Sequence, residues 1–402
     1  MKTFTYKFVF QNRRSHQMKL WLSDLPIHPH QTTNVCLENR KADEIVPVDI
    51  AGNRLSYYAL APGETIEKVY EITVKTRDEG HDIPTLSTEE RNYYLRSSTF
   101  IQINEEICQL AKEVCAELIA DEEKARALFD YVRLSFHYKH PPKERGNLAF
   151  LRLKQGDCGE FSFLYASLCR AVNIPCRVVF GAWAVGKGLH AHAWNEVYLE
   201  ESGWVPVDLS MANLSKREWW NKFLSPWPFL KPKAYFGRIE EQRIIFSIET
   251  EHDPMGRYPD SEERNSVTFP VNNCPLSWGR GLLNGKIPYL QPVYFYEEEP
   301  LKMPLGKDYV GSWTIYEQGK QKGLQFIKNV ARKCFLIAAV LVAITYILSW
   351  ITPLQTYTSL PFSVCLLAAS VFSVAAIMRR ENRVLYVGVL SICLLFLLLP
   401  VL

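Results

Sequence analysis

The 402-residue chain is 48% hydrophobic and 22% charged, with 46 Lys and Arg against 43 Asp and Glu and a formal net charge of +3. That length accommodates two or three domains, the apolar content excludes wholesale disorder, and the near-neutral balance gives no electrostatic case for a nucleic-acid partner. The average conceals a split: the sequence is ordinary and polar up to about residue 330 and almost continuously apolar after it.

The opening TFTYKFVF alternates, putting Phe4, Tyr6, Phe8 and Phe10 on one side, and similar strands are expected at MKLWL (18–22), RLSYYAL (54–60) and KVYEITV (68–74). With turn signals at Gly52-Asn53 and Pro62-Gly63, this reads as a small antiparallel β domain over 1–76. The start MKTFTYKFVFQNRRSH alternates instead of running apolar, so no secretory leader is expected. The polar TRDEGHDIPTLS opens a linker over 77–94. Ile103, Ile107, Leu110, Ala111, Val114 and Leu118 then fall at helical spacing around an Asn104 cap, and a second helix starts at Asp121. A third begins near Asp157, followed by strand-like runs at 176–185, 190–199, 203–210 and 243–249. Helices first and an antiparallel sheet after predict an α+β domain over 95–280.

Residues 281–333, rich in Pro, Tyr and Glu and then Lys, read as a juxtamembrane tether. Beyond them Cys334–Ile351, Ser359–Met378 and Val384–Leu402 are three uncharged stretches near the roughly 20 residues that span a bilayer, so 334–402 is expected to be an all-α anchor of three transmembrane helices. Lys320, Lys322, Lys328, Arg332 and Lys333 precede the first stretch, TPLQTYT has no Lys or Arg, and Arg379, Arg380 and Arg383 mark the second loop. The positive-inside rule then places the soluble part in the cytosol and the C-terminus outside. In that compartment the seven cysteines before residue 330, which have no CxxC spacing, are expected as free thiols.

Two of them lie in KQGDCGEFSFLYASLCR. Asp157 can cap the helix and Glu160 can reach back to it, as in a capping box. Phe161, Leu164, Tyr165, Leu168 and Cys169 form one stripe, which assigns Cys169 to the core and leaves Cys158 in the first turn. There the helix dipole is expected to lower a thiol pKa, as a nucleophile needs. In HAHAWNEVYL, alternation puts His190, His192, Trp194, Glu196 and Tyr198 on one face, and GWVPVDLS does the same for Trp204, Pro206 and Asp208. If 200–202 is a three-residue turn, Asp208 stands opposite Trp194 and diagonal to His192, roughly 7 to 8 Å away, within reach of an imidazole. A one-residue slip would destroy that partnership.

GDCGEFSFLYASLCRAVNIPCRVVFG, followed by HAWNEVYL and GWVPVDLS, resembles the transglutaminase-like superfamily of papain-like fold. The likeness runs from about Leu95 to Ser247, taking in YFGRIEEQRIIFS, and the β region of 1–76 resembles a domain that often precedes this core. It implies a Cys, His, Asp triad in that chain order, here Cys158, His192 and Asp208. It also implies a thioester made by attack of Cys158 on a Gln side-chain amide or a peptide bond, resolved by an amine or by water. The Cys158 backbone amide, with Tyr138 in FHYKH as an upstream donor, is the expected oxyanion site, and Trp194 a supporting residue. No cofactor or metal is implied; His190, His192 and Cys158 imitate a zinc site without a fourth ligand at convincing spacing. Expected partners are a protein or peptide substrate, the bilayer, and members of a membrane complex. The alternative is a catalytically silent scaffold on the same fold. The Trp-rich stretch 217–230 is open between a flap, an interfacial segment and packing.

Overall fold

A computed structural model describes residues 2–75, 85–184, 186–187, 190–215, 230–254, 268–272, 274–277, 283, 285–296, 310–349, 359–379 and 383–398. In chain order the elements are β1 (Lys2–Gln11), β2 (Met18–Ser23), β3 (Gln31–Glu38), β4 (Glu44–Val46), β5 (Leu55–Leu60) and β6 (Thr65–Val74), then α1 (Thr88–Leu95), α2 (Glu105–Val114) and α3 (Asp121–Ser135). There follow β7 (His137–Tyr138), α4 (Asn147–Leu153), β8 (Gln155–Gly156), α5 (Cys158–Ala171), β9 (Cys176–Trp183), β10 (Gly186–Lys187), β11 (Ala191–Leu199), β12 (Gly203–Val207) and α6 (Leu209–Leu214). A 3-10 turn (Pro232–Tyr235) leads to β13 (Arg243–Ile248), β14 (Thr268–Val271), β15 (Cys274–Ser277), β16 (Val293–Tyr296) and β17 (Ser312–Glu317). Last come α7 (Gly319–Ser349), α8 (Ser359–Met378) and α9 (Arg383–Leu398). Two compact units result, one of residues 1–216 and 232–316, the other of 217–231 and 317–402.

In the first unit, α5 lies against the antiparallel sheet β12-β11-β9-β13, with α2, α3 and α4 around it. The expected stripe is inside, but so is nearly everything else from Gly159 to Arg170. An apolar helix without a polar face belongs in the middle of a domain. Asn195 ties sheet to helix by donating from Nδ2 to the Ser162 carbonyl at 3.0 Å.

The N-terminal strands divide between two sheets, β10-β17-β1-β6-β3 and β16-β2-β5-β4. Phe4, Tyr6, Phe8 and Phe10 are buried as alternation requires, yet their cluster also holds Ala182, Ile244, Phe246, Val293, Phe295 and Trp313. About 75 residues thus share their core with the rest of the unit. The stretch read as a tether contributes β16, paired with β2, and β17, beside β1, because Val293, Phe295, Trp313 and Ile315 supply apolar faces. Part of the expected linker is α1, whose Ser87 and Glu90 complete a capping box.

The outer edge of β13 is closed by side chains, not by another strand. Gln31 exchanges two hydrogen bonds with the Ile245 backbone (3.0 and 2.7 Å), Asn53 two with Ile248 (both 2.8 Å), and Ser23 Oγ donates to the Phe246 carbonyl. An unpaired sheet edge in a core would strand several polar groups, and these amides satisfy them.

In the second unit, Lys322–Leu348 and Leu360–Met378 are long and apolar enough to cross a membrane, while Leu385–Leu397 is shorter. The 16 residues of α9 extend about 24 Å against a hydrocarbon thickness of about 30 Å. The third expected span thus differs from the other two, and its last residues lie outside those described. Arg379 at the end of α8 pairs with Glu317, Nη2 to Oε1 at 3.0 Å. The Trp-rich stretch 217–230 lies outside the described residues except for Leu230.

Candidate active site

The start of α5 is a closed polar knot. Asp157 accepts the Gly159 amide at 2.9 Å, Glu160 accepts the Asp157 amide at 3.2 Å, and Arg145 reaches Asp157 at 3.0 and 3.2 Å and Glu160 at 3.2 Å. The His140 ring stands 3.0 Å from Asp157 on the outer side. Burial tends to raise the Asp157 carboxyl, but the Arg145 charge and the hydrogen bond with His140 override it and hold this acid low. Burial pushes Glu160 upward, so Asp157 is the member of the pair that keeps its charge.

Cys158 is the first residue of α5, and its sulfur accepts the Ala193 amide from β11. Burial pushes this thiol up, and the Asp157 charge adds to it; the Ala193 amide and Arg145 only partly offset them. The lowered thiol expected from the helix terminus is not found. A helix end contributes roughly 0.3 to 1 kcal/mol, whereas loss of solvent around the charged form can shift a pKa by more than that, even though Cys158 keeps partial exposure. A thiolate here needs a partner that takes its proton.

On β11, His192 points to the face opposite that of Ala191 and Ala193. The observed register pairs Asn195 with Val207 and Tyr198 with Trp204, as the three-residue turn predicts, so Asp208 stands opposite Trp194 just beyond the strand. The strand expected over 203–210 ends at Val207, because Asp208 caps α6 and accepts the Met211 amide. His192 Nε2 lies 2.7 Å from Asp208 Oδ2, with both residues buried. Arg243 Nη1 donates to the same Oδ2 at 2.6 Å, while Ser210 Oγ and the Met211 amide donate to Oδ1, each at 2.9 Å. Burial alone would raise Asp208, but the charges of His192 and Arg243 hold it well below the usual carboxylate range.

Trp183 and Trp194 flank the His192 ring at 5.6 and 6.1 Å between centroids. The Trp194 indole nitrogen is buried without a hydrogen-bond partner, so this residue meets the site as a ring wall. Tyr138, on β7 beside β8, has a hydroxyl pushed up by burial first and then by Cys158, Asp157 and Asp208, which keeps it a neutral donor. His190 is half-buried, and burial lowers its pKa. Among the described residues no group of three or more His, Cys, Asp or Glu could hold a metal ion, and nine cysteines, Cys158 and Cys169 among them, are free thiols.

Sequence reasoning passed over four participants. Arg145, partly exposed, and Arg243, buried, are the cations on the two carboxylates that border the site. Gln291 donates from Nε2 to the carbonyls of His192 (2.8 Å) and Gly181 (2.9 Å), and Tyr289 stacks on Phe180 at 4.9 Å. Burial, opposed by Arg145 and aided by Asp157, Glu160 and Cys158, raises the Tyr289 hydroxyl. The signal for Arg243 is a lone charge opening the apolar run RIIFSI. Tyr289 and Gln291 sit in the stretch whose composition reads as a tether.

Residues 108–209, which include Tyr138, Arg145, Cys158, His192 and Asp208, match the family model described as the transglutaminase-like superfamily; Arg243, Tyr289 and Gln291 lie beyond the match. A 142-residue stretch is 30% identical to the Neurospora crassa protein png-1, covering 34% of this chain and 28% of that protein's length. Two solved structures are also similar. One is a protein from Cytophaga hutchinsonii (17% identity, 52% of this chain, 76% of the other, TM-score 0.41). The other is the periplasmic domain of TgpA from Pseudomonas aeruginosa (15% identity, 54% and 89%, TM-score 0.35).

Proposed function

We propose that the chain is a membrane-anchored thiol enzyme acting on protein or peptide amides, with Cys158 as nucleophile, His192 as general base and Asp208 as the group that orients the imidazole. The observation that carries this reading is the 2.7 Å bond between His192 Nε2 and Asp208 Oδ2, beside a helix-start cysteine whose sulfur takes the amide next to His192 in sequence. With Nε2 committed to Asp208, Nδ1 is the nitrogen left to receive the thiol proton.

Proton transfer gives a thiolate and an imidazolium stabilised by Asp208. The thiolate attacks the carbonyl carbon, and the oxyanion is received by the Cys158 amide and the Tyr138 hydroxyl. Collapse expels the amine, which takes the proton from His192, and leaves a thioester. Water or a second amine, deprotonated by the same imidazole, then displaces Cys158 and restores the thiol. Water makes the reaction hydrolysis; an amine makes it cross-linking or transfer. The apolar C-terminal helices support membrane association, and the Lys/Arg bias supports a multi-pass anchor with the soluble unit cytosolic and the C-terminus outside.

Capture of the acyl-Cys158 thioester by mass spectrometry, followed by a chase with amine or water, tests the chemistry. The intermediate is expected in the parent and absent in Cys158→Ser and His192→Ala. A catalytically silent binding module is the second reading, favoured by the upward-pushed thiol, and alkylation of Cys158 no faster than that of a free thiol would support it. A C-terminal reporter active only in the cytosol would overturn the topology.

A further inference from the structure

We propose that Arg243 is a positioning residue for the Asp208–His192 pair and sets the pH at which Cys158 becomes reactive, an inference that rests on the thiol-enzyme reading above. Every strand of the α5 sheet contributes to one face of it. Asp208 follows β12, His192 and Trp194 are on β11, Trp183 is on β9, and Arg243 pairs with Trp183 from β13. The Arg243 guanidinium lies 4.3 Å from the Trp183 ring centroid and 5.3 Å from that of Trp194, the two rings that also flank His192. Its Nη1 donates to Asp208 at 2.6 Å and its Nη2 to Glu240, which also accepts the Tyr235 hydroxyl; Nε is buried without a hydrogen-bond partner.

A buried guanidinium needs one carboxylate to neutralise it, and Glu240, three residues away on its own segment, supplies that. The second arm does something else. It occupies the oxygen of Asp208 that also accepts His192, so with the Ser210 and Met211 bonds on Oδ1 the carboxylate plane is fixed and His192 has one orientation. It also places a positive charge beside the anion that would otherwise act at full strength across the site, so the Cys158 thiol gives up its proton to His192 at a lower pH than beside a bare carboxylate.

The groups acting on this balance can be named. Asp208 is faced by His192, Arg243 and Tyr138, and through Arg243 by Glu240; the thiol is faced by Asp157, Arg145, Glu160, Tyr138 and Tyr289. Arg243 is the cation on the Asp208 side and Arg145 the cation on the thiol side.

The test follows alkylation of Cys158 by iodoacetamide as a function of pH, read by peptide mass spectrometry on the full chain in detergent. The parent is expected to label in a His192-dependent way with a defined midpoint. Arg243→Gln, which keeps a donor and removes the charge, is expected to move that midpoint up by about one pH unit. Arg243→Lys, which restores the charge, is expected to return it to the parent value. A residue needed only for folding would change stability and leave the midpoint alone, so a folded Arg243→Gln with the parent midpoint overturns the proposal. If that variant does not fold, the double variant Arg243→Gln/Glu240→Gln, which removes the cation together with its nearest counter-charge, decides: a midpoint raised by about one unit supports the charge assignment, and the parent midpoint overturns it. Should parent Cys158 label no faster than a free thiol and ignore His192→Ala, the enzyme reading and this proposal both fall. A fast, His192-dependent parent beside an unmoved Arg243→Gln removes this proposal alone.

Discussion

Replacing Asp208 by Asn perturbs the site at its most constrained group. The carboxylate accepts from four donors, His192 at 2.7 Å and Arg243 at 2.6 Å on Oδ2, Ser210 and the Met211 amide at 2.9 Å on Oδ1. Asparagine can keep the Oδ1 pair, so α6 retains its cap, but it presents an amino group where Oδ2 was, and donors then face donors. Two charge-assisted hydrogen bonds are lost at about 1.5 to 3 kcal/mol each, and Arg243 is left to Glu240. The expected destabilisation is about 3 to 5 kcal/mol, a large part of the roughly 5 to 15 kcal/mol that holds a domain together. The chemical effect is larger. An amide N–H can pair only with an unprotonated Nε2, which moves the imidazole proton to Nδ1, the atom that must receive the thiol proton. The same change in a serine-protease triad lowers kcat by about 10⁴, and a loss of that order is expected here. Thermal unfolding measures the first effect, and the rate of thioester formation, at a temperature where both proteins are folded, measures the second. An Asp208→Asn protein that acylates within about tenfold of the parent would refute the assignment of Asp208 as the orienting group.

Tyr138→Phe is expected to slow acylation by about 10² to 10³ while leaving the pH midpoint of alkylation in place, and unchanged acylation would remove its hydroxyl from the oxyanion site. A Cβ at Gly181 would run into the Ile244 carbonyl oxygen and come within 2.7 Å of the Trp194 ring, so Gly181→Ala should lose about 1 to 3 kcal/mol and slow Cys158 labelling; a parent-like Tm contradicts this. Gln31→Ala and Asn53→Ala each leave a donor and an acceptor of β13 unpaired, for an expected loss of about 1 to 3 kcal/mol in denaturant titration. Asp157, Asp208 and Glu196 are held low in the fold, against the pull of burial, by Arg145, by His192 with Arg243, and by Arg177 with His28. Their contribution is complete above the unfolded carboxylate value and drains as pH falls below about 4, which near-UV circular dichroism follows. Burial raises Glu160, so its contribution has the opposite sign: it is full below the carboxylate range and lost as pH rises through the folded value. Glu160→Gln should therefore flatten the alkaline side of the stability profile, and an unaltered profile counts against the shift.

What the sequence made legible is what local rules control. The Asp157–Glu160 capping box, the burial of Cys169 and the pairing that sets Asp208 opposite Trp194 each depend on spacing within a few residues or across one short turn. What it hid depends on distant segments meeting. Nothing near Arg243 announces that its partner is 35 positions back, and Tyr289 and Gln291 reach the site from a stretch whose Pro, Tyr and Glu content suggests no core at all. β3 leaves no trace in the sequence because its side chains are mostly exposed and an alternating pattern needs a buried face, and β4, of three residues, is too short to show one. The raised thiol pKa is invisible in the sequence for a related reason: a helix terminus can be read locally, whereas desolvation depends on what the whole fold places around the sulfur.

The upward-pushed thiol bears on how the site can work. Asp157 starts α5 with a buried negative charge one residue from the thiol, and a carboxylate there opposes the thiolate that the helix dipole favours. The fold answers with Arg145, which clamps the cap from the outer side, and repeats the device across the site, where Arg243 clamps Asp208. In both places an acid does local work, capping a helix or orienting a ring, and an arginine from a distant segment limits what its charge does to the sulfur. Neither arginine creates a thiolate, because the thiol is still pushed up with Arg145 in place. The proton must therefore leave by way of His192. Reactivity in such a site depends on the His192–Asp208 geometry more than on the helix that carries the cysteine, and substitutions on β9, β11 and β13 should alter it more than substitutions along α5.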